Sequence, residues 1–256
     1  MPTHTSSPLP ATVARMLLVM VACLLPMVGH AGSATFSTTN IQYLYGTQYE
    51  LGDGTRSIVT IEHANAWKYG DTFLFVDITN ADRDGELTGT GHYAEISPRL
   101  SLGKITGTSL SFGPVKDLLI ATTAELPSSP AFRRYLYGVG VDLTVPAFRF
   151  VQLNWYLRNS TQPGLDTGQQ VTLAWSLPIK IAALSFSFEG FADYAWGEDP
   201  NEDNLLTAPR LLLDVGALFG AAGQLQMGVE HQIWRNKFGI KDVDEDVTQA
   251  MVKWIW

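Results

Sequence analysis

The sequence predicts an all-β protein: a transmembrane antiparallel β-barrel of about twelve strands, preceded by a cleaved signal peptide. Three observations predict it. Short segments with residues alternating at period two recur along the chain, each with one aliphatic or aromatic face and one wet face. Charged residues make up only 16% of the 256 residues, against ~25% in an ordinary soluble domain. No segment beyond the N-terminal leader is apolar for long enough to cross a membrane as a helix, which needs about 20 residues. Exported chains with few charges, many aromatics and no spanning helix have the composition of outer-membrane barrels.

Residues Met1–Ala31 read as a bacterial secretory signal. Arg15 forms the positive n-region, Met16–Val28 the apolar h-region, and Gly29-His30-Ala31 offers small residues at the cleavage positions. The single cysteine, Cys23, lies inside this stretch, and Met20-Val21-Ala22-Cys23 is a poor lipoprotein box. The mature chain, residues 32–256, is then free of cysteine, consistent with export through an oxidising compartment without a disulfide framework. The formal charge of −8 becomes one unit more negative on loss of Arg15. With no basic stripe, nucleic acid is excluded as the expected partner.

The strands follow in order. The first, Thr38–Tyr49, sets Ile41, Tyr43 and Tyr45 against Asn40, Gln42 and Leu44. The second, Ser57–Ala66, sets Val59, Ile61 and His63 against Thr60, Glu62 and Ala64. A tight turn at Lys68-Tyr69-Gly70 leads to the third, Asp71–Asn80, where Leu74, Val76 and Ile78 oppose Asp71, Phe73, Phe75 and Asp77. In the fourth, Gly91–Leu102, Ala94, Ile96, Pro98 and Leu100 oppose Tyr93, Glu95, Ser97 and Arg99. Pro98 cannot donate to a ladder and belongs at a strand end or bulge. The fifth, Val115–Leu126, turns Leu119, Ala121, Thr123 and Glu125 inward. The sixth, Phe132–Val145, sets Tyr135, Tyr137, Val139, Val141 and Leu143 against Arg134, Gly138, Gly140 and Asp142.

The seventh and eighth alternate most cleanly. Val151, Leu153, Trp155 and Leu157 oppose Gln152, Asn154, Tyr156 and Arg158; then Val171, Leu173, Trp175 and Leu177 oppose Gln170, Thr172, Ala174 and Ser176. The ninth sets Leu184, Phe186 and Phe188 against Ser185, Ser187, Glu189, Phe191 and Asp193. The tenth sets Leu211, Leu213 and Val215 against Arg210, Leu212 and Asp214. The eleventh sets Leu225, Met227, Val229 and Ile233 against Gln224, Gln226, Glu230 and Gln232. The twelfth, Val247–Trp256, sets Ala250, Val252, Trp254 and Trp256 against Gln249, Met251 and Lys253.

Links alternate between tight (Trp67–Gly70, Val145-Pro146-Ala147, Leu177–Ile179) and long polar ones (Asp82-Arg83-Asp84-Gly85, Gly197–Asn204, Lys241–Asp246). Short turns on one rim and long loops on the other are the outer-membrane arrangement. Residues 103–114 depart from it, being long where a short turn is expected. The wet face decides between a packed core and a hydrated lumen. It carries Glu62, Glu95, Arg99, Arg134, Asp142, Arg158, Glu189, Arg210 and Glu230, and unpaired charges in a core cost several kcal/mol each. A soluble sandwich would turn that face to solvent and cover every apolar face with a partner sheet. Trp155, Trp175, Trp254 and Trp256, expected near strand ends, fit an interfacial girdle better.

TIEHANAWKYGDTFLFVDITN (Thr60–Asn80), YAEISPRLSL (Tyr93–Leu102), YLYGVGVDLTVPAF (Tyr135–Phe148), NKFGIKDVDEDVTQAMVKWIW (Asn236–Trp256) and the first strand TTNIQYLYG (Thr38–Gly46) resemble the nucleoside-specific channel-forming Tsx family, with its marine OmpK branch. The resemblance runs in order over nearly the whole mature chain. It implies a monomeric outer-membrane barrel of a Gram-negative bacterium, passing nucleosides, deoxynucleosides or similar small solutes by diffusion through a narrow lumen, and a phage or colicin receptor role for the outer loops. It also implies contact with lipopolysaccharide and outer-membrane lipid, and assembly by the barrel-assembly machinery through the C-terminal strand. That strand ends in Trp256 where Phe is usual.

A nucleobase stacks on rings and a ribose offers hydroxyls to carboxylates and amides. Phe73, Phe75, Tyr93, Tyr156 and Phe191 supply rings on the wet face; Glu62, Asp77, Glu95, Arg99, Asn154 and Glu230 supply polar groups, with Arg158 and Glu189 facing the same lumen. A net acidic lumen disfavours phosphorylated solutes. An alternative is a receptor or structural barrel that does not transport. A remoter one is a lipid hydrolase with His and Ser at i and i+2, but His63, His92 and His231 are followed at that spacing by Asn65, Ala94 and Ile233, and the only such pair is His4/Ser6 in the leader. No catalytic residue, cofactor or metal ligand is expected; Asp82/Asp84 and Asp242/Asp244/Asp246 read as solvated loop charge before Ca²⁺ ligands.

Overall fold

A computed structural model describes residues 34–52, 54–79 and 91–256. The leader with Cys23, residue Asn80 at the end of the third strand, and the Asp82/Asp84 loop lie outside the described residues. The strands are β1 (Ala34–Thr47), β2 (Thr55–Trp67), β3 (Gly70–Thr79), β4 (Gly91–Ser101), β5 (Val115–Pro127), β6 (Arg134–Leu143) and β7 (Phe150–Ser160). They continue as β8 (Gly168–Ile181), β9 (Leu184–Trp196), β10 (Asn204–Thr207), β11 (Arg210–Asp214), β12 (Leu225–Arg235) and β13 (Glu245–Ile255). Each pairs antiparallel with its neighbours, and β13 closes the ring on β1. Both β10 and β11 lie between β9 and β12, end to end, so the thirteen segments make a closed barrel of twelve staves. Closure leaves no open sheet edge, the condition for strands to cross a bilayer.

The registers accumulate a stagger of about 16 residues around the ring. With ~4.8 Å between strands and ~3.3 Å per residue, that shear tilts twelve strands by roughly 43° and sets a backbone radius of about 13 Å. Inward side chains as long as Arg and Phe then leave a narrow bore.

Every inward face follows the alternation seen in the sequence. Asn40, Gln42, Glu62, Glu125, Asn154, Glu230, Gln249 and Lys253 are buried in the interior, while Tyr43, Tyr45, Tyr135, Tyr137, Val139, Trp155, Leu211 and Val229 are exposed on the exterior. So large an exposed apolar surface exceeds what a monomeric soluble protein carries. Two inward glycines permit close approach of neighbouring backbones: a Cβ on Gly138 would lie 1.9 Å from the Trp155 carbonyl oxygen, and one on Gly228 2.0 Å from that of Leu211. Glycine at such bends lets a strand coil tightly.

Four details differ from the sequence reading. The β8–β9 turn falls at residues 182–183, not at Leu177–Ile179. Pro178 is tolerated inside β8 because beyond Ser176 that strand pairs with β9 alone, as at a sheet edge. The tenth stave includes β10 as well as the segment from Arg210; Pro209 interrupts the stave and hides its continuity in the sequence. Trp155 and Trp175 sit in the middle of β7 and β8 rather than near strand ends, and Trp175 packs on Phe188 with ring centres 5.9 Å apart. The long link after β4 contains a short helix, α1 (Leu102–Thr106), capped by the Ser101 hydroxyl accepting from the Lys104 N–H at 3.0 Å and ended by Gly107 at φ 68°. One rim thus carries the tight turns at 68–69 and 182–183, α1 and both ends of the barrel; the opposite rim carries residues 48–52 and loops 161–167, 197–203 and 236–244.

Candidate functional site

The lumen is crossed by ion-pair bridges that join staves several places apart. Arg210 on β11 reaches past β12, β13 and β1 to Glu62 on β2 at 2.8 Å, and its Nε donates to Glu230 on β12 at 2.6 Å. Glu62 also accepts from Asn40 at 3.2 Å, and Glu230 from Gln249 at 2.7 Å. Lys253 on β13 meets Glu189 on β9 at 2.5 Å. Behind the Arg210 bridge lies an apolar cluster of Leu44, Leu212 and Met251 with Ile58 packed against it. This sector is filled.

The sector from β4 to β7 is filled in the same manner. Arg99 grips both oxygens of Asp71 at 2.9 and 2.8 Å, pairs with Asp142 at 3.0 Å and donates to Asn154 at 3.4 Å. Two parallel N–H donors to one carboxylate make this a strong, directional pair. Arg158 on β7 pairs with Glu125 on β5 at 2.8 Å and with Glu198 at 3.3 Å; Arg134 on β6 also meets Glu198, at 3.1 Å. Glu198 belongs to loop 197–203, which therefore dips into the mouth to neutralise two arginines. Tyr156 lies over the Cβ-free Gly138 and packs with Ala121 and Leu136.

Two walls carry inward rings and acids outside these ion-pair bridges, β3–β4 and β8–β9. On the first, Phe73 and Phe75 have ring centres 6.0 Å apart, and Phe75 and Tyr93 5.8 Å. The register opposes Asp77 to Tyr93 and Phe75 to Glu95, so acids and rings form a checkerboard on adjacent strands. The Tyr93 hydroxyl donates to Glu95 at 2.6 Å and Thr60 donates to Asp77 at 2.6 Å. On the second wall, Phe191 stands two residues from Asp193, which accepts from Thr172 at 2.5 Å; Gln170 donates to Thr172 at 3.0 Å. Rings beside carboxylates with spare acceptor capacity can stack a flat heterocycle and accept from hydroxyls.

All thirteen residues singled out in the sequence occupy inward register positions. The structure divides them. Glu62, Arg99, Asn154, Tyr156, Arg158 and Glu230 are 3–8% exposed and are committed to bridges or packing; Glu189 is held by Lys253. Phe73, Phe75, Asp77, Tyr93, Glu95 and Phe191 remain partly accessible on the open walls. Sequence reasoning missed Glu198, because a loop residue has no alternation to mark its direction.

Above this, at the loop rim, Glu245 is fully buried and accepts from Lys237 at 2.5 Å, Gln232 at 2.6 Å and the Glu50 N–H at 3.0 Å. The Lys237 ammonium sits 4.6 Å from the Trp234 ring centre. Burial draws its pKa down, against the pull of Glu245. Tyr49 donates to Gln249 at 2.6 Å, and burial pushes its phenol pKa up. Asp244 and Asp246 face Arg235 at 3.9 and 2.8 Å. On the exterior, His63 contacts the Thr39 hydroxyl at 2.8 Å and the Asn65 amide at 3.3 Å. Thr39's own N–H and C=O are engaged by Trp256, at 3.4 and 3.0 Å.

A family model described as the nucleoside-specific channel-forming protein Tsx matches residues 33–254. An outer membrane protein OmpK of Vibrio parahaemolyticus is 24% identical over 213 residues, covering 78% of this chain and 79% of its own. A nucleoside-specific channel-forming protein Tsx of Salmonella typhimurium is 29% identical over 126 residues, 45% of this chain and 44% of its own. Among solved structures, a KdgM porin aligns over 84% of this chain and 98% of its own, with 12% identity and a TM-score of 0.49.

Proposed function

The chain belongs to the Tsx family of nucleoside-specific channel-forming proteins, and from that premise we propose that it conducts nucleosides by passive diffusion through the slot between the β3–β4 and β8–β9 walls. Membership makes it an outer-membrane channel of a Gram-negative bacterium and places it among porins rather than enzymes. The rim with the tight turns is then periplasmic and the loop rim faces outward.

One observation carries the nucleoside reading: the ion-pair bridges fill the other sectors, and the wall they leave open alternates rings with hydrogen-bond acceptors. A base slides along Phe73, Phe75 and Tyr93 while its ribose hydroxyls donate to Asp77, Glu95 and Asp193. Base–aromatic stacking is worth about 1–3 kcal/mol per base, enough for transient occupancy and weak enough for release. Liposome swelling tests it: adenosine and deoxyadenosine enter faster than a pentose or hexose of similar mass, and equal rates for all solutes remove the specificity.

A second reading is favoured by Glu198, which closes the outer mouth against Arg134 and Arg158. In that reading the barrel is occluded and its loops act as a receptor, for phage among others, with lipopolysaccharide at the outer leaflet. Insertion would proceed through the barrel-assembly machinery reading β13 and its terminal Trp254 and Trp256. Absence of any conductance step in a planar bilayer supports the occluded barrel against the channel.

A further inference from the structure

We propose that this channel selects cations over anions, and that Asp77, Glu95 and Asp193 on its two open walls are the residues that set the selectivity. The proposal rests on which inward acids have no cation partner among the described residues, and is independent of which neutral solute passes.

Charge accounting comes first. Arg99 is matched by Asp71 and Asp142; Arg134 and Arg158 by Glu125 and Glu198; Arg210 and Lys253 by Glu62, Glu230 and Glu189. No bridge therefore carries surplus positive charge. Asp77, Glu95 and Asp193 have only hydroxyl partners of their own, Thr60, Tyr93 and Thr172, and among the described residues none of the three joins an ion pair.

Placement comes second. The matched acids Glu62, Glu125, Glu198 and Glu230 are 4–8% exposed, whereas Asp77, Glu95 and Asp193 are half-buried, as are the paired Asp71, Asp142 and Glu189. Asp77 and Glu95 stand on one wall and Asp193 on the other. A permeating ion thus runs between carboxyl groups on both walls of a narrow, low-dielectric surround, where field lines are focused.

The rings come third. Phe75 and Tyr93, 5.8 Å apart, sit between Asp77 and Glu95 in the register. Ring faces attract cations, so a protonated aromatic amine finds both π faces and a carboxylate where a neutral aromatic finds rings alone. At the periplasmic rim, Arg149 and Lys180 line a cavity of 460 Å³ with Asp214. Those cations lie at the mouth and leave the slot's own balance negative.

The test is the reversal potential of the purified full barrel in a planar bilayer under a KCl gradient. Wild-type protein should pass K⁺ several-fold more readily than Cl⁻. The isosteric Asp77→Asn/Glu95→Gln/Asp193→Asn variant should lower the ratio clearly, while Asp166→Asn, in an outer loop, leaves it unchanged. Benzylammonium should block wild type at about tenfold lower concentration than benzyl alcohol, and the triple variant should lose that difference. Single substitutions, each checked for heat-modifiable migration, replace the triple variant if it does not fold, and each should lower the ratio part of the way. A wild-type ratio at or below one, or cation preference unchanged in the neutralised variants, overturns the proposal. Nucleoside block measured on the same membranes reports separately on the transport reading, so either can fail alone.

Discussion

Replacing Arg210 by methionine tests whether the bridges hold the lumen as a sealed network. Methionine keeps most of the length and apolar bulk but removes the charge. Two contacts go, to Glu62 at 2.8 Å and Glu230 at 2.6 Å. They leave behind carboxylates that are 8% and 5% exposed. Breaking a buried pair by deleting one partner costs about 3–5 kcal/mol, mostly the penalty of the stranded charge. Glu62 keeps Asn40 and Glu230 keeps Gln249, which places the expectation at the lower end, about 3 kcal/mol. Neutralising both stranded acids, in Arg210→Met/Glu62→Gln/Glu230→Gln, should recover most of that loss, since what remains is uncharged and hydrogen-bonded. The assay is urea unfolding from lipid vesicles followed by tryptophan fluorescence. The single variant should also conduct more, because the bridge that walls off β12, β13 and β1 is gone. A shift within ~0.5 kcal/mol, the range of ordinary surface substitutions, or no recovery in the triple variant, refutes the sealed-network argument.

Other consequences are as direct. Phe75→Ala removes the central ring of the open wall and should weaken nucleoside block of the current by about 1–3 kcal/mol in binding, with little change in conductance without solute. Glu198→Gln withdraws the charge that holds loop 197–203 to Arg134 and Arg158, so single-channel current should rise and become noisier. Gly138→Ala forces a Cβ to 1.9 Å from the Trp155 carbonyl; the strands must part, and unfolding should come about 1–3 kcal/mol sooner. Tyr49 provides the pH test. Its folded pKa lies above the free phenol's value of about 10 because the ring is buried. The unfolded chain therefore releases this proton first, and the stabilisation, complete below pH 10, is lost as pH rises beyond it. Tyr49→Phe should flatten the alkaline fall in stability, while costing about 1 kcal/mol at neutral pH through the lost bond to Gln249.

Much of this barrel was legible because its exterior faces lipid on every stave. A period-two pattern reports direction residue by residue, so the inward placement of Glu62, Phe75, Glu95, Asn154 and Glu230 followed from Val59, Leu74, Ile96, Leu153 and Val229 facing outward. Alternation says nothing of what an inward residue meets. Leu44, Leu212 and Met251 read as apolar exceptions on a wet face, and their clustering behind Arg210 depends on closure of the ring, which joins β13 to β1. Tyr156 looked like a lumen ring from its own strand, but the absence of a Cβ on Gly138 lets it settle against the wall. Pro178 and Pro209 misled in opposite directions. The first reads as a strand end but lies inside a strand that continues, since its edge position needs no donor, and the second hides a stave it merely interrupts. Glu198 and Lys237 lie in loops, where direction has no periodic signature.

The central claim is a narrow wet slot that nucleosides occupy as they pass, and single-channel recording from the purified barrel with nucleoside titrated into the bath measures it most directly. Small, discrete steps that fall in a saturable manner as adenosine is added, and do not fall with an equal concentration of ribose, are the predicted result. Current that is indifferent to nucleoside up to its solubility, or steps as large as those of a wide general porin, would contradict the account.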